Sequence, residues 1–287
     1  MKQPLLDRPE VSQVLFYPRR AYGLASALAG VRSIGVQVEL GIVLGGQLYP
    51  AAPDSPAILL FHGNGEIAED YDDIAPMYTQ LGITLLVMDY RGYGTSGGVP
   101  TPLKGALGAA SHLLSDAVAV FEATGRVLNE NDLAPVRLYV MGRSLGSAAA
   151  IEIAARADER LAGLIVESGF ANTLALLARL GLQVRSAQVR SVQVRGAQVR
   201  GADEERDGFG NAAKLSRVTL PVLIIHGQDD VLIPASDAHE LHRRCASPDK
   251  QLVLIPRAGH NDLMLVGMKP YMDAIKRFVG GEAGIRK

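Results

Sequence analysis

Residues 137–156 read RLYVM-GRSLG-SAAAIEIAAR, and this stretch decides the fold. The first five residues are short and apolar, which suits a strand buried on both faces. Residues 145–156 suit a helix. Between the two, Gly142-Arg143-Ser144-Leu145-Gly146 matches G-x-S-x-G. A strand that turns straight into a helix crowds the backbone at the serine, and the two glycines remove side chains that would collide there. Ser144 is then lifted above the strand end. The helix starting beside it aims backbone N–H groups and its positive end at the same place.

The alternation continues on both sides of this turn. Apolar runs at 57–61, 84–88, 163–166, 222–225 and 251–255 read as further strands. Residues 33–43 alternate more, as an antiparallel strand paired with 46–49 would. Helices are expected over 66–80, 105–124, 171–180, 236–245 and 262–279. The order β-β-β-α-β-α-β-α-β-α-β-α-β-α describes an α/β protein, a mainly parallel sheet with helices on both faces. No polar linker divides it, so residues 1–287 are read as one domain.

Composition narrows the function. The chain has 29 Lys and Arg against 30 Asp and Glu, a net charge of −1, which attracts neither nucleic acid nor an anionic membrane. One cysteine, Cys245, allows no intrachain disulfide and lends no support to a secretory context. The opening residues MKQPLLD lack a charged-then-apolar signal pattern. The apolar run at 21–31 is stopped by Arg32, too short to span a bilayer. A soluble cytoplasmic protein with no transmembrane segment is expected. No motif reports its oligomeric state.

A serine hydroxyl needs a base to take its proton. Histidines stand at 62, 112, 226, 239, 242 and 260, and His260 is best placed. It lies in RAGHND (257–262), after the last strand, and loops that follow parallel strands gather on one edge of the sheet. The base needs a carboxylate to fix its tautomer and stabilise its charged form. HGQDDVLIP (226–234) offers two; Asp230 is preferred and Asp229 is the rival. An oxyanion needs backbone donors. The N–H of Leu145 is one candidate, and the N–H of Asn64, in HGNGE (62–66), is the other. His62 is read as shaping that loop. His112, His239 and His242 fall in helices with no HExxH spacing or Cys/His cluster, so no metal or cofactor is expected.

One segment stands apart. From Leu182 the chain reads LQVRS-AQVRS-VQVRG-AQVRG, and an acidic run follows. Four five-residue units would make only about one coil of a solenoid. The segment, at about 182–205, is read as a surface insert, with a small cap over the site as the sharper alternative.

HGNGE, DYRGYGTSGG (89–98), GRSLG and HGQDDVLIP with AGHND (258–262) stand in order along the chain. Together they resemble the α/β-hydrolase superfamily over roughly residues 50–279. The likeness is nearer still to the branch of BEM46-like and bacterial serine-aminopeptidase-like hydrolases. The resemblance implies an α/β-hydrolase fold with an eight-stranded, mainly parallel sheet and a small cap or none. It implies a triad of Ser144, Asp230 and His260 and oxyanion donors at Asn64 and Leu145. His62, Glu66, Ser168 and Phe170 become candidates for the pocket wall, while Asp89 and Arg91 are read as holding loops. The expected substrate is a small-molecule ester, cleaved through an acyl-enzyme. Amides, peptides and long-chain thioesters are the alternatives, and a catalytically inactive binding protein is the different class.

Overall fold

The computed structural model describes residues 4–21, 28–99, 108–182 and 207–281. The strands are β1 (Arg32–Glu39), β2 (Ile42–Tyr49), β3 (Ala57–Phe61), β4 (Thr84–Met88), β5 (Leu138–Arg143), β6 (Leu161–Glu167), β7 (Val222–Gly227) and β8 (Lys250–Ile255). They form one eight-stranded sheet in the order β1-β2-β4-β3-β5-β6-β7-β8. β2 pairs antiparallel with β1 and β4, and all other pairs are parallel. The chain runs from β3 to β4 on one side, then crosses to β5 on the other. A reversal of that kind opens a crevice at the carboxyl ends of the strands.

The helices are α1 (Pro9–Leu15), α2 (Ala75–Gln80), α3 (Ala109–Glu130), α4 (Gly146–Ala154), α5 (Thr173–Arg179), α6 (Asn211–Leu215), α7 (Ala235–Arg244) and α8 (Leu263–Gly280). They cover both faces because the inner strands are apolar at nearly every position along their central stretches. In β3, Ala57, Leu59 and Phe61 join a core with α1, α3, α4, α5, α6 and α7, while Ile58 and Leu60 join a second core with α2 and α8. Truncating such a buried leucine to alanine typically costs about 2–5 kcal/mol.

Several boundaries differ from expectation. The strand expected over 33–43 turns at Leu40 and Gly41, where Gly41 takes φ 78°. The helix expected over 66–80 is a 3-10 turn, Ala68–Asp73, followed by α2. Pro76 sits in the first turn of α2, where its missing N–H is not needed. α3 runs past Gly125 because Val127 and Leu128 are buried beyond it. α8 is broken at Gly267 (φ −135°, ψ 40°), three residues before Pro270. The proline cannot donate to the preceding turn, and helices kink near such a residue. α1 and α6 were not anticipated. Most of the repeat segment at 182–205 lies outside the described residues, although Leu182 packs against the first core. Among the described residues no helix is long and apolar enough to cross a membrane.

Candidate active site

Ser144 follows β5 with φ 50°, in the left-handed region that side chains rarely adopt. Holding a non-glycine residue there costs about 1–3 kcal/mol, which the surroundings must offset. Two features do so. The Ser144 N–H donates to the carbonyl of Glu167 (2.9 Å), pinning the turn to β6. The motif glycines allow close packing: a Cβ on Gly142 would overlap the Gly146 carbonyl, and one on Gly146 would overlap that of Phe61.

His260 comes from the loop after β8. Gly259 N–H donates to Asp262 Oδ1 (2.6 Å), and Asp229 N–H donates to the Ala258 carbonyl (2.9 Å), tying this loop to the one after β7. His260 Nε2 stands 3.0 Å from Ser144 Oγ, and Nδ1 stands 2.7 Å from Asp230 Oδ2. A carboxylate only accepts, so Nδ1 donates and Nε2 is left to accept from the serine hydroxyl. Asp230 is 4% exposed, whereas Asp229 points to solvent. Asp230 Oδ1 accepts from the N–H groups of Leu232 (2.9 Å) and Ile233 (2.8 Å). Burial pushes the Asp230 carboxyl up, but hydrogen bonds from His226, His260 and the Ile233 amide outweigh it and hold the group well below the usual carboxylate range.

The loop after β3 closes the other side. Asn64 Oδ1 accepts from the Tyr17 N–H (2.7 Å) and the Tyr93 hydroxyl (2.9 Å). Arg19 Nε donates to the Gly65 carbonyl (3.0 Å), and the Tyr90 hydroxyl donates to the His62 carbonyl. Glu66 Oε2 accepts from Gly63 N–H (2.8 Å). Among the described residues, no protein acceptor pairs with the N–H of Asn64 or of Leu145. The Leu145 N–H belongs to the open first turn of α4.

Of the four side chains expected at a pocket wall, Glu66 lines a cavity of about 250 Å³ with Tyr71, Tyr78, Arg143, Glu167 and Tyr271 among others. His62, Ser168 and Phe170 are fully buried instead. The His62 ring lies tilted against Tyr90 with centroids 4.4 Å apart, and Phe170 packs 6.0 Å from Phe209. Arg91 pairs with Asp116 (2.6 Å) and Glu39 (2.8 Å), and Asp89 Oδ1 accepts from Ala68 N–H (2.8 Å), so both hold loops. Nothing in the sequence alone singles out Arg143, Tyr17, Arg19 or Tyr93. Arg143 fills a motif position open to any residue, and FYPRR (16–20) carries no periodicity or motif. Among the described residues no group of three His, Cys, Asp or Glu is placed to hold a metal.

Comparison with known proteins fits this frame. The family model for serine aminopeptidase, S33, matches residues 52–207 and 210–264. An uncharacterized protein of Mycobacterium tuberculosis is 29% identical over 263 residues, covering 89% of this chain and 81% of that one. The human alpha/beta hydrolase domain-containing protein 17B is 30% identical over 236 residues, covering 80% of this chain and 69% of that one. The structure of an esterase from Pyrococcus furiosus superposes with a TM-score of 0.68 at 19% identity, covering 93% of this chain and 99% of that one. The chain belongs to the serine aminopeptidase, S33, family and is a hydrolase of the α/β-hydrolase superfamily.

Proposed function

We propose that the protein is a serine hydrolase that cleaves small-molecule carboxylic esters, with Ser144 as nucleophile, His260 as general base and Asp230 as its orienting carboxylate. The observation that carries this reading is the unbroken chain from Ser144 Oγ to His260 Nε2 (3.0 Å) and from His260 Nδ1 to Asp230 Oδ2 (2.7 Å). A base within hydrogen-bond reach activates a hydroxyl that is otherwise a weak nucleophile. Ser144 attacks the carbonyl carbon as His260 takes its proton. The oxyanion is held by the N–H groups of Asn64 and Leu145. In known enzymes one such donor contributes about 2.7–4 kcal/mol to the rate. His260 then protonates the leaving alcohol. A water, deprotonated by the same ring, releases the acid from the acyl-enzyme.

An ester fits the surroundings better than a free-amine peptide. Capturing an α-ammonium needs a carboxylate with no cation of its own. Of the carboxylates along the cavity beside the triad, Glu66 and Glu167 both pair with Arg143, and Asp70 pairs with Arg19.

Labelling with a fluorophosphonate probe tests the assignment. Wild type is expected to label and to hydrolyse a p-nitrophenyl ester. Ser144→Ala is expected to lose labelling and at least about 10⁴-fold of the turnover. Equal turnover by the folded variant would place the nucleophile elsewhere.

A further inference from the structure

Arg143 occupies the second position of GRSLG, and its side chain is 13% exposed. Its guanidinium reaches three loops at once. Nε donates to Glu167 Oε1 (3.2 Å), at the end of β6. Nη1 donates to Glu66 Oε1, in the loop that carries Asn64. Nη2 donates to the backbone carbonyl of His260 (3.1 Å) and to Asn261 Oδ1 (3.0 Å), in the loop after β8. Glu66 passes the restraint on, because its other oxygen accepts from Gly63 N–H (2.8 Å) and from the Tyr71 hydroxyl (3.0 Å).

We propose that Arg143 is a positioning residue of this site. It fixes the distance between the loop bearing Asn64 and the loop bearing His260, so that Ser144 lies between donor and base in a reacting geometry. The proposal rests on the hydrolase reading above.

The chemistry of the network favours a frame over a receptor. The polar groups along the adjoining cavity are already engaged with one another. Glu167 Oε2 accepts from the Tyr271 hydroxyl (2.6 Å), which lies 2.9 Å from that of Tyr78. Burial alone would weaken the charge on Arg143, but Glu66 and Glu167 outweigh it and keep the guanidinium charged. The task suits arginine specifically. A planar fork of five donors can serve three loops in fixed directions, whereas a lysine ammonium is a single point charge on a flexible stem.

The test uses the full chain, with sites counted by fluorophosphonate titration so that kcat is expressed per active site. A fall in the fraction folded does not move that quantity. Arg143→Met is expected to lower kcat per site by about 100-fold, the size of loss that a misplacement of about 1 Å produces, with KM within about 3-fold of wild type. Arg143→Lys is expected to recover about 10-fold of the loss, through the single partner that an ammonium can hold. The double variant Arg143→Met, Glu66→Gln is expected to be no worse than Arg143→Met alone, because both remove the same restraint. Folded Arg143→Met with kcat per site within about 3-fold of wild type overturns the proposal, since it would show the geometry intact without the clamp. If Arg143→Met does not fold, Glu66→Gln decides. A loss of about 10-fold in kcat per site sustains the proposal, and an unchanged value overturns it. Wild type that neither labels nor turns over an ester sinks the hydrolase reading itself. Labelled wild type beside an unaffected Arg143→Met sinks this inference alone.

Discussion

The loop that presents Asp230 and the loop that presents Asn64 face Ser144 from opposite sides, and they are held by different means. The Asp230 loop is held mostly by its own residues, with ties to the Ala258 carbonyl and to Arg179 besides. Asp230 accepts from Leu232 and Ile233, and His226 Nε2 lies 2.7 Å from the carbonyl of Ile233, seven positions away. The Asn64 loop is held by distant parts of the chain: Tyr17, 47 positions away, Tyr93, 29 away, and Arg143, which binds Glu66 from 77 away. Contacts between near neighbours close short loops at small entropic cost, whereas distant contacts form only when the intervening structure is in place. Asp230 is therefore fixed largely by local contacts, while the His260 loop also leans on Arg143. The Asn64 loop depends on the segment after α1, on the loop after β4 and on Arg143 at the end of β5.

The largest test of this contrast is on the base side. Asp230→Asn is expected to lower ester kcat by about 10⁴-fold through loss of the correct histidine tautomer, while the exposed Asp229→Asn stays within about 2-fold. A greater loss in Asp229→Asn would reverse the assignment. The same variant has a pH signature. An aspartate in an unfolded chain titrates near pH 3.9, and folded Asp230 titrates lower, so between the two the unfolded state binds more protons and stability rises with pH. The stability that Asp230 supplies is complete above about pH 5 and is lost as the pH falls through and below about 4. Denaturant melts should show the gap between wild type and Asp230→Asn shrinking over that range. A gap independent of pH would mean that the carboxylate is not stabilised by folding.

On the oxyanion side the effects should be smaller and come from farther away. Asn64→Ala keeps the backbone N–H but removes the acceptor for Tyr17 and Tyr93, and a drop of about 10-fold in ester kcat is expected. Tyr93→Phe deletes one donor and should cost about 1 kcal/mol of stability in melts and about 2-fold in kcat. If Asn64→Ala costs no more activity than Tyr93→Phe, the distant tethers are redundant and the contrast between the two loops fails.

This contrast also explains what could be read in advance. The α/β order was legible because strands buried on both faces must be short apolar runs, as AILLF and TLLVM are. That Ser144, Asp230 and His260 come within hydrogen-bond reach of one another was legible because each stands in a strand-end loop. The contacts of Arg143, Tyr17 and Tyr93 were not, since they are set by partners far away in sequence. Three of the four pocket-wall candidates are buried, for a different reason. Position at a strand end tells which edge of the sheet a residue occupies, not which way its side chain turns. His62, Ser168 and Phe170 turn inward, with no exposed surface. Pro270 was visible inside the last helix, but the break falls at Gly267, where the absence of a Cβ lets the chain close on Ile255.

The left-handed backbone at Ser144 has a consequence for descent. Glycine would sit there without strain, so a lineage that kept this fold only as a scaffold would gain stability by exchanging the serine. Under the proposed role of Ser144, the exchange to glycine would relieve the turn while removing the nucleophile. The position thus acts as a one-way valve in sequence space, crossed readily toward inactivity and re-entered only against a loss of stability.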